Sequence, residues 1–403
     1  MNTLLILLAS TLTLTAPENG AKYDTYSPCV REFLANPDKR SNPRPPEPPM
    51  SEQELKQKET MDAKYEAWVA EGKPKGKKCK KYERRWNYYE RNEWTDDLFQ
   101  RCEKETKTWL PFTWKADFKP DTFIVEFSET KDFAKSFSEP VHGKTKMRPK
   151  FLKVGTSYFW RVKAKDADGK EVVSDVRRFT TLDAFPRMLG NPDWNWRDHG
   201  GGVNADGKKV RQGLIYRTNA PINGYDGQDA TPEISKALYV GILGVKSQLD
   251  LRGKGEAEAA EKNFGRIQLD KCGIKLEFQS LDPYHITGNT RPLYVNAIRF
   301  FANKDNYPIL YNCAAGSDRT GTIGVLLDGI IGRTDEQIYD NYELPTLNNC
   351  VPRLRYCRKA TSMFNILKGY GKPTIRENVV AYLLESGITQ AEIDAIRKIM
   401  LVD

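Results

Sequence analysis

The feature that most constrains the fold of this 403-residue chain is an alternation of strand-like and helix-like segments from residue 183 to the end. The strand-like runs are Gly213 to Arg217, Val245 to Leu251, Ile274 to Gln279 and Pro308 to Asn312. Helices are predicted to begin near Arg291, Arg319, Glu336, Arg353, Ile375 and Gln390. This order predicts an α/β domain with a mostly parallel sheet and helices on both faces. Such sheets bind ligands at the carboxyl ends of their strands, so the turn after Asn312 is the first place to look for a site.

That turn reads Cys313-Ala314-Ala315-Gly316-Ser317-Asp318-Arg319-Thr320-Gly321. Small residues that lead into a helix start can turn their N–H groups inward, and the helix dipole reinforces the resulting anion cradle. Arg319 can bind two phosphate oxygens through its planar fork, and the same positive field favours the thiolate of Cys313. A thiolate beneath a bound phosphate is a nucleophile for phosphorus. The predicted phosphate-binding residues are Ala314, Ala315, Gly316, Ser317, Asp318 and Arg319.

This loop resembles the signature of the cysteine-dependent protein tyrosine and dual-specificity phosphatases. The segments Asn195 to Gly201, Val210 to Thr218 and Asp250 to Arg252, with Tyr382 to Thr389 near the end, resemble the bacterial tyrosine phosphatase family 3 group of secreted phosphatases. The resemblance covers about 220 residues and implies hydrolysis of phosphotyrosine, with phosphoserine, phosphothreonine or phosphoinositide as further substrate classes.

The loop departs from the HCxAGKDRTG pattern usual in that group at two positions. Asn312 stands where the family has a histidine that helps hold the loop, and Ser317 stands where it has a lysine that faces the phosphate. Neither change removes the nucleophile or the arginine clamp.

A phosphatase also needs a proton donor for the leaving oxygen. Asp282 follows a predicted strand and lies 31 residues before Cys313, which matches the position of the acid loop in dual-specificity phosphatases. The predicted cycle is attack by Cys313 with protonation by Asp282, then hydrolysis of the thiophosphate with Asp282 as base. Asp318 and His285 are the alternative proton donors. Thr320 is expected to donate a hydrogen bond to the Cys313 sulfur.

No cofactor is expected, because three histidines form no pattern of metal ligands. Five further charged residues, the charged set, have two possible interpretations. They form either a network that supports the loop or contacts the substrate, or ion pairs at strand ends. The members of this set are Arg197, Asp198, Arg217, Asp250 and Arg252.

The net charge of +9 is concentrated in one segment. Residues 73–91 hold nine basic and two acidic residues, interleaved with aromatic residues, whereas residues 183–403 carry a net charge of only +2. Composition therefore does not indicate a nucleic-acid-binding protein. The segment fits either a solvated helix that packs its aromatic residues on the next domain or a binding surface for an anionic lipid, polysaccharide or single strand.

Residues 104–182 show the period-two pattern of strands. Thr122 to Phe127, Ser157 to Val162 and Val172 to Thr181 are rich in aromatic and β-branched residues and are separated by turn signals. The run from Leu152 to Ala164, ending in Phe179 to Thr181, resembles the second half of a fibronectin type III sandwich. In that family Tyr158 would form the tyrosine corner. The resemblance implies an all-β module that contacts protein or glycan partners.

The first hundred residues carry targeting and linker patterns. Residues 1–16 form a short apolar run that predicts a signal peptide for a secreted or periplasmic protein. The alternatives are an uncleaved N-terminal membrane anchor and a buried N-terminal helix. Residues 17–103 are predicted to be a Pro-rich linker, a helix that starts at a capping box of Ser51 and Glu54, and the basic segment. After residue 16, no apolar run approaches the roughly 18 residues of a membrane span.

Seven cysteines fit an exported protein with one catalytic thiolate. With Cys313 set aside, six remain that could pair in about 15 ways. A pair among Cys29, Cys79 and Cys102 and a pair of Cys350 with Cys357 are the simplest choices.

The chain is therefore predicted to be multidomain, with a fibronectin-like domain at 104–182 and a phosphatase domain at 183–403. Its expected substrate is a phosphorylated protein or phospholipid. The alternative is a non-catalytic module that binds phosphate and mediates adhesion.

Overall fold

The computed structural model describes residues 10–41, 50, 52–72, 92–189, 195–221, 232–347 and 352–402. Within these residues no helix is both long and apolar enough to cross a membrane. The basic segment at 73–91 lies outside the described residues, as do all the prolines between 43 and 49.

Nine strands form a β-sandwich. They are β1 (Leu12–Ala16), β2 (Ala21–Tyr23), β3 (Phe112–Ala116), β4 (Thr122–Ser128), β5 (Ser136–His142), β6 (Lys146–Met147), β7 (Ser157–Lys165), β8 (Glu171–Val173) and β9 (Arg177–Thr181). One sheet has the order β1-β3-β6 and the other β2-β9-β7-β4-β5, with β8 on the edge of β7. Alternate residues of β7, from Tyr158 to Ala164, are buried between the sheets. Period two in the sequence therefore predicted these central strands well.

The Tyr158 hydroxyl accepts a hydrogen bond of 2.9 Å from the backbone N–H of Lys153. A tyrosine bonded to the backbone a few residues upstream is the arrangement of a tyrosine corner. The sandwich is confirmed, and its fibronectin type III identity stays a prediction.

The N-terminal region takes part in the fold before residue 17. Leu12 and Leu14 of β1 are buried in the sandwich, where β1 pairs with β3. Cleavage after Ala16 would remove β1 from the sandwich. A signal peptide that ends at Ala16 stays a prediction, and the pairing of β1 with β3 disfavours it.

Four helices precede the sandwich core in the chain: α1 (Pro28–Leu34), α2 (Pro37–Ser41), α3 (Glu52–Ala70) and α4 (Glu93–Thr108). Helix α3 was expected, although Ser51 of its predicted capping box lies outside the described residues. The prediction that residues from 17 onward form a linker is wrong for β2, α1 and α2. Helix α1 forms because Cys29, Val30 and Phe33 bury one apolar face, and Ser27 caps its N-terminus.

A disulfide joins Cys29 of α1 to Cys102 of α4. This confirms a pair among the first three cysteines. Cys350 lies outside the described residues, so its pairing with Cys357 stays a prediction. The disulfide fastens α1 to α4, and both helices pack into the core of the C-terminal domain.

The C-terminal domain contains a six-stranded sheet. Its strands are β10 (Arg187–Met188), β11 (Arg197–Asp198), β12 (Ile215–Thr218), β13 (Ser247–Asp250), β14 (Lys275–Phe278) and β15 (Ile309–Asn312). The order is β10-β11-β12-β15-β13-β14; β12, β15, β13 and β14 are parallel, and β10 and β11 add an antiparallel edge. The four parallel strands are the four that the sequence predicted.

Helical segments cover both faces of this sheet. The helices are α5 (Pro232–Lys236), α6 (Lys254–Phe264), α7 (Arg291–Ala302), α8 (Asp318–Ile331), α9 (Asp335–Glu343), α10 (Arg358–Lys368), α11 (Ile375–Glu385) and α12 (Gln390–Met400). Ile309 and Tyr311 of β15 face the larger core with α7 and α8, whereas Leu310 faces a smaller core. The helix expected near Arg353 begins five residues later, at Arg358, and residues 352–357 form an extended segment and turn instead.

We predict that helix α1 is part of the C-terminal core and not a linker. Phe33 is fully buried, stacked on Trp94, whereas Phe264 at the end of α6 is 74% exposed. Phe33→Ala should lower the free energy of unfolding by about 3–5 kcal/mol because it leaves a cavity. Phe264→Ala should change it by no more than about 0.5 kcal/mol. Urea unfolding followed by tryptophan fluorescence measures both, and equal small effects would show that α1 is only loosely docked.

Candidate active site

The predicted loop lies at the carboxyl end of β15, in the middle of the parallel sheet. All four residues of β15 are buried between β12 and β13. Cys313 follows the strand directly and is 2% exposed, and α8 begins at Asp318. The cysteine is thus held between a central strand and a helix N-terminus, as the sequence predicted.

Gly316 is required for the shape of the loop. Its φ is +67°, and a Cβ at this position would come within 2.6 Å of the backbone at Thr218 and Asn219. Any side chain would push the loop away from the end of β12.

Donors behind the loop bind its carbonyl groups. The Asn195 amide donates to the carbonyl oxygens of Gly316 at 2.8 Å and Ala315 at 3.2 Å, and Nη2 of Arg217 donates to Gly316 at 3.1 Å. Within the described part of the chain, no group accepts a hydrogen bond from the N–H of Ala314, Ala315 or Gly316. Ala314 and Ala315 are also exposed, so their N–H groups remain available to an anion.

Asn312 is held in place of the usual histidine. Its Oδ1 accepts a hydrogen bond of 2.8 Å from Nε2 of Gln248, whose Oε1 accepts one of 2.9 Å from the backbone of Leu269. All three residues are buried or nearly so. An amide pair therefore supports the start of the loop without adding charge.

Arg319 forms an ion pair with Glu256 of α6. Both terminal guanidinium nitrogens lie 2.7 Å from the two carboxylate oxygens. The hydrogen bonds to Glu256 raise the pKa of Arg319, and Cys313 beside it acts in the same direction. Arg319 therefore lies next to the thiol, with the fork that would bind phosphate occupied by a carboxylate.

Asp318 joins three segments of the chain. Its carboxylate accepts two hydrogen bonds from Arg353, at 2.5 and 3.0 Å, and one from the hydroxyl of Tyr284. Burial raises the pKa of this carboxyl, but the charge and hydrogen bonds of Arg353 and the bond from Tyr284 outweigh burial and lower it below its ordinary value. Asp318 is therefore an ionised anchor and a poor proton donor.

Asp282 is the more accessible carboxylate. Its side chain is 57% exposed and lies 2.6 Å from Nδ1 of His285, while its backbone oxygen accepts a hydrogen bond of 2.7 Å from Tyr294. Asp282, Tyr284 and His285 line a cavity of about 510 Å³ together with Lys359 of α10. Because Tyr284 is bonded to Asp318, the Asp282 segment is attached to the catalytic loop.

The expected contact of Thr320 is not formed. Its hydroxyl is buried at the start of α8 and makes no hydrogen bond within the described residues. The prediction that Thr320 bonds the Cys313 sulfur is therefore wrong for this structure.

The two readings of the charged set each hold for part of it. Arg217 bonds Gly316 directly, and Nη1 of Arg197 lies 2.5 Å from Oδ1 of Asn195, which bonds the loop. Both arginines also contact Asn341 of α9. These two support the loop.

The other three members of the set form ion pairs. Asp198 pairs with Arg187 at 2.9 Å, and Asp250 pairs with Arg252 at 2.6 Å at the fully buried end of β13. These ion pairs lie at strand ends, and neither pair includes a residue of the loop.

Sequence reasoning missed Glu256, Tyr284, Arg353 and Asn341, which all contact the loop or its supports. Glu256 and Arg353 lie 63 and 35 residues from their partners, and neither belongs to a recognisable motif. Asn195 lies in one of the segments that resemble the family, but its residue type alone did not indicate a contact with the loop. Its backbone has a φ of +54°, and its amide bonds the carbonyl of Gly316. Neither feature can be predicted from the sequence.

Comparison with known proteins places this site in a family. A family model described as tyrosine phosphatase family matches residues 193–402. A protein of Cupriavidus necator whose name describes it as a candidate tyrosine-protein phosphatase is 27% identical over 168 residues, which is 37% of this chain and 59% of the relative. The chain thus spans about three fifths of that curated relative.

Two solved structures of Siw14 also match. The core catalytic domain of the PP-IP phosphatase SIW14 from S. cerevisiae, in complex with citrate, shares 20% identity with a TM-score of 0.24, covering 34% of this chain and 75% of that one. A second structure of the Siw14 catalytic core shares 19% identity with a TM-score of 0.25, covering 40% and 89%.

The family model accounts for the loop of Cys313, for Arg319 and for the parallel sheet that positions them. It matches more than half of the chain. The chain belongs to the tyrosine phosphatase family.

Proposed function

We propose that this protein is a cysteine-dependent phosphomonoesterase that hydrolyses phosphotyrosine, with phosphoserine, phosphothreonine or phosphoinositide as further substrates. The observation that carries the proposal is the placement of Cys313 between a buried strand and the first turn of α8, beside Arg319 and beneath unoccupied loop N–H groups. This arrangement offers a nucleophile and an anion clamp at one point.

The proposed reaction has two steps. The Cys313 thiolate attacks phosphorus, the bond to the leaving oxygen breaks, and Asp282 gives its proton to that oxygen. Water then attacks the thiophosphate, Asp282 takes up the water's proton, and phosphate and the thiolate are released. Arg319 binds the equatorial oxygens in both steps.

Asp282 is the better proton donor of the two aspartates. Its carboxylate is exposed at a cavity and lies beside His285, whereas Asp318 is held ionised by Arg353. A donor must be protonated before it can act, which disfavours a carboxyl with a lowered pKa.

We further propose that the protein is exported. The disulfide between Cys29 and Cys102 supports this, because such bonds persist in oxidising compartments. The sandwich would then act outside the cytosol as a module that contacts protein or glycan. The second candidate function, a non-catalytic phosphate-binding module, is favoured by the carboxylate of Glu256 in the fork of Arg319.

The first prediction separates these two functions. Wild-type protein should hydrolyse p-nitrophenyl phosphate, and Cys313→Ser should lose at least about 10³-fold in kcat because the hydroxyl is a far weaker nucleophile. Cys272→Ser, a buried cysteine remote from the loop in sequence, is the matched control and should keep wild-type kcat. Wild-type turnover no faster than that of Cys313→Ser would leave the binding module as the function.

The second prediction assigns the proton donor. Asp282→Asn should lose about 10²- to 10⁴-fold in kcat and the basic limb of its pH profile, since the amide has no proton to give. Asp318→Asn should keep that limb even if its kcat falls, because Asp318 anchors the loop. The assignment is decided by measuring kcat between pH 4 and 8, a range of about four units that contains the ordinary pKa values of carboxyl groups and histidine. Loss of the limb in Asp318→Asn alone would reverse the assignment.

The third prediction concerns Glu256. This residue is 44% exposed and neutralises Arg319, so Glu256→Gln should free the guanidinium for a phosphate anion. Inorganic phosphate should then inhibit a few-fold more strongly, the scale of a partly exposed ion pair of about 1 kcal/mol. Glu258→Gln, on the same helix, should leave inhibition unchanged. Weaker inhibition of Glu256→Gln would mean that Glu256 orients Arg319 for binding instead.

A further inference from the structure

Arg40 of α2 is fully buried against the C-terminal domain, although it lies 153 residues before the region that the family model matches. Its guanidinium reaches three carboxylates of α9: Glu343 at 2.6 Å, Asp340 at 2.5 Å and Glu336 at 2.9 Å. Such a contact joins an N-terminal helix to the domain that carries the loop.

Arg355 completes this group from the other side. Its guanidinium bonds Glu343 and Glu336 at distances between 2.8 and 3.1 Å. We call these five residues the Arg40 cluster: Arg40, Glu336, Asp340, Glu343 and Arg355. Two guanidinium groups face three carboxylates, so one carboxylate is in excess. Burial raises the pKa of Asp340 to about 6 despite the charge of Arg40, which identifies Asp340 as the member that can most easily be made neutral.

The cluster fixes the segment at 352–357. Oε1 of the fully buried Glu343 accepts hydrogen bonds from the backbone N–H of Arg355 at 2.7 Å and from its Nε at 2.8 Å. The backbone N–H of Arg353 donates to Oγ1 of Thr346 at 2.9 Å. Because the backbone N–H groups of residues 353 and 355 are both bonded, the stretch of backbone that carries the Arg353 side chain is held in place.

The Arg353 side chain that projects from this stretch binds the Asp318 carboxylate of the loop. A continuous path of hydrogen bonds and one short stretch of backbone therefore runs from Arg40 through Glu343 and Arg355 to Arg353 and Asp318. Every link is between buried or half-buried groups, where such bonds are screened least.

We propose that Arg40 is a positioning residue for the catalytic loop, acting through Glu343, Arg355 and Arg353 on Asp318. The inference deepens the proposed phosphatase function and rests on it for the kinetic test. It assigns to the N-terminal region, outside the family-matched domain, a part in the geometry of the active site.

The physical consequence falls on Asp318 and its neighbours. Arg353, Tyr284 and Lys359 face the Asp318 carboxylate, while Arg319 and Tyr311 face the Cys313 thiol. If Arg353 shifts, Asp318 keeps its negative charge without its main cation. An uncompensated carboxylate in the loop both disfavours the thiolate and loosens the start of α8.

The test is a double-mutant cycle between the two ends of the path. At one end, Arg40→Met/Asp340→Asn removes the buried cation together with one carboxylate, so the net charge of the cluster stays the same. At the other end is Arg353→Met. Arg31→Met is the matched control, because Arg31 also forms a two-nitrogen ion pair in the N-terminal region, with Asp24. Among the described residues, its side chain bonds none of the C-terminal domain.

The expected result is non-additive. Arg40→Met/Asp340→Asn should lower kcat on p-nitrophenyl phosphate on the order of 10-fold, the effect of a small displacement remote from the chemistry. Arg353→Met should lower it at least as much, and the combination should be no slower than Arg353→Met alone. Arg31→Met should keep kcat. Additive losses, or wild-type kcat in a folded Arg40→Met/Asp340→Asn, would overturn the proposal.

A substitute variant and a second measurement allow the proposal to be tested even if the first variant does not fold or the wild type is inactive. If Arg40→Met/Asp340→Asn does not fold by circular dichroism, Arg40→Lys replaces it in the same cycle, because lysine keeps the charge but lacks the fork that spans three carboxylates. The rate of Cys313 alkylation by iodoacetamide, mapped by peptide mass spectrometry, follows the thiolate without catalysis. A wild type that is inactive but shows the same non-additive pattern in alkylation would end the phosphatase proposal and leave the positioning role standing.

Discussion

The ion pair between Asp318 and Arg353 is the interaction on which the arrangement of the site depends. Asp318 is the first residue of α8, so its position fixes the helix start that carries Arg319. Its carboxylate also binds Tyr284, which fixes the segment that presents Asp282. A single carboxylate thereby links the segments that carry Cys313, Arg319 and Asp282, which are the proposed nucleophile, anion clamp and proton donor.

The support beneath the loop has a different character. Arg197 and Arg217 are both buried, and the partners that they contact are amide and carbonyl oxygens of Asn195, Gly316 and Asn341. Burial lowers the pKa of Arg197 well below its ordinary value, and the neighbouring charge of Arg217 acts in the same direction. Two cations whose bonded partners are neutral keep a positive potential under the loop, and that potential favours a bound phosphate and a thiolate above it. Gly324 makes this possible, since a Cβ there would come within 2.7 Å of Nη1 of Arg217.

The sequence predicted the parts of the fold that local pattern determines. The four parallel strands alternate with helices along the chain, and the central strands of the sandwich alternate buried and more exposed residues. The loop of Cys313 has residue types and spacing that few other functions require. What it could not supply were the partners of the loop. Glu256, Tyr284 and Arg353 are ordinary residues in their own segments, and only the packing of α6, the 282–285 segment and the 352–357 segment around one helix start makes them functional. Even within the motif, Thr320 took a buried position that its spacing did not indicate.

The N-terminal region was the least predictable part of the fold, because its prolines and its charged residues both indicated a linker where the structure has helices. Prolines and charges suggested a linker from residue 17, while the apolar residues of α1 span less than two turns and are too few to stand out. A short helix of this kind is not stable alone and forms because a larger core receives Val30 and Phe33 and a disulfide holds it to α4. The same packing delivers Arg40 to the carboxylates of α9. The boundary predicted at residue 183 lies between β9 and β10, but a division there does not separate the cores. Helices α1 and α4 contribute buried residues to the core of the C-terminal domain, and α2 contributes the buried Arg40. Because the core of the C-terminal domain includes helices that precede the sandwich in the chain, no single boundary divides the chain into its folding units. The C-terminal domain therefore includes residues that lie outside the match to the family model.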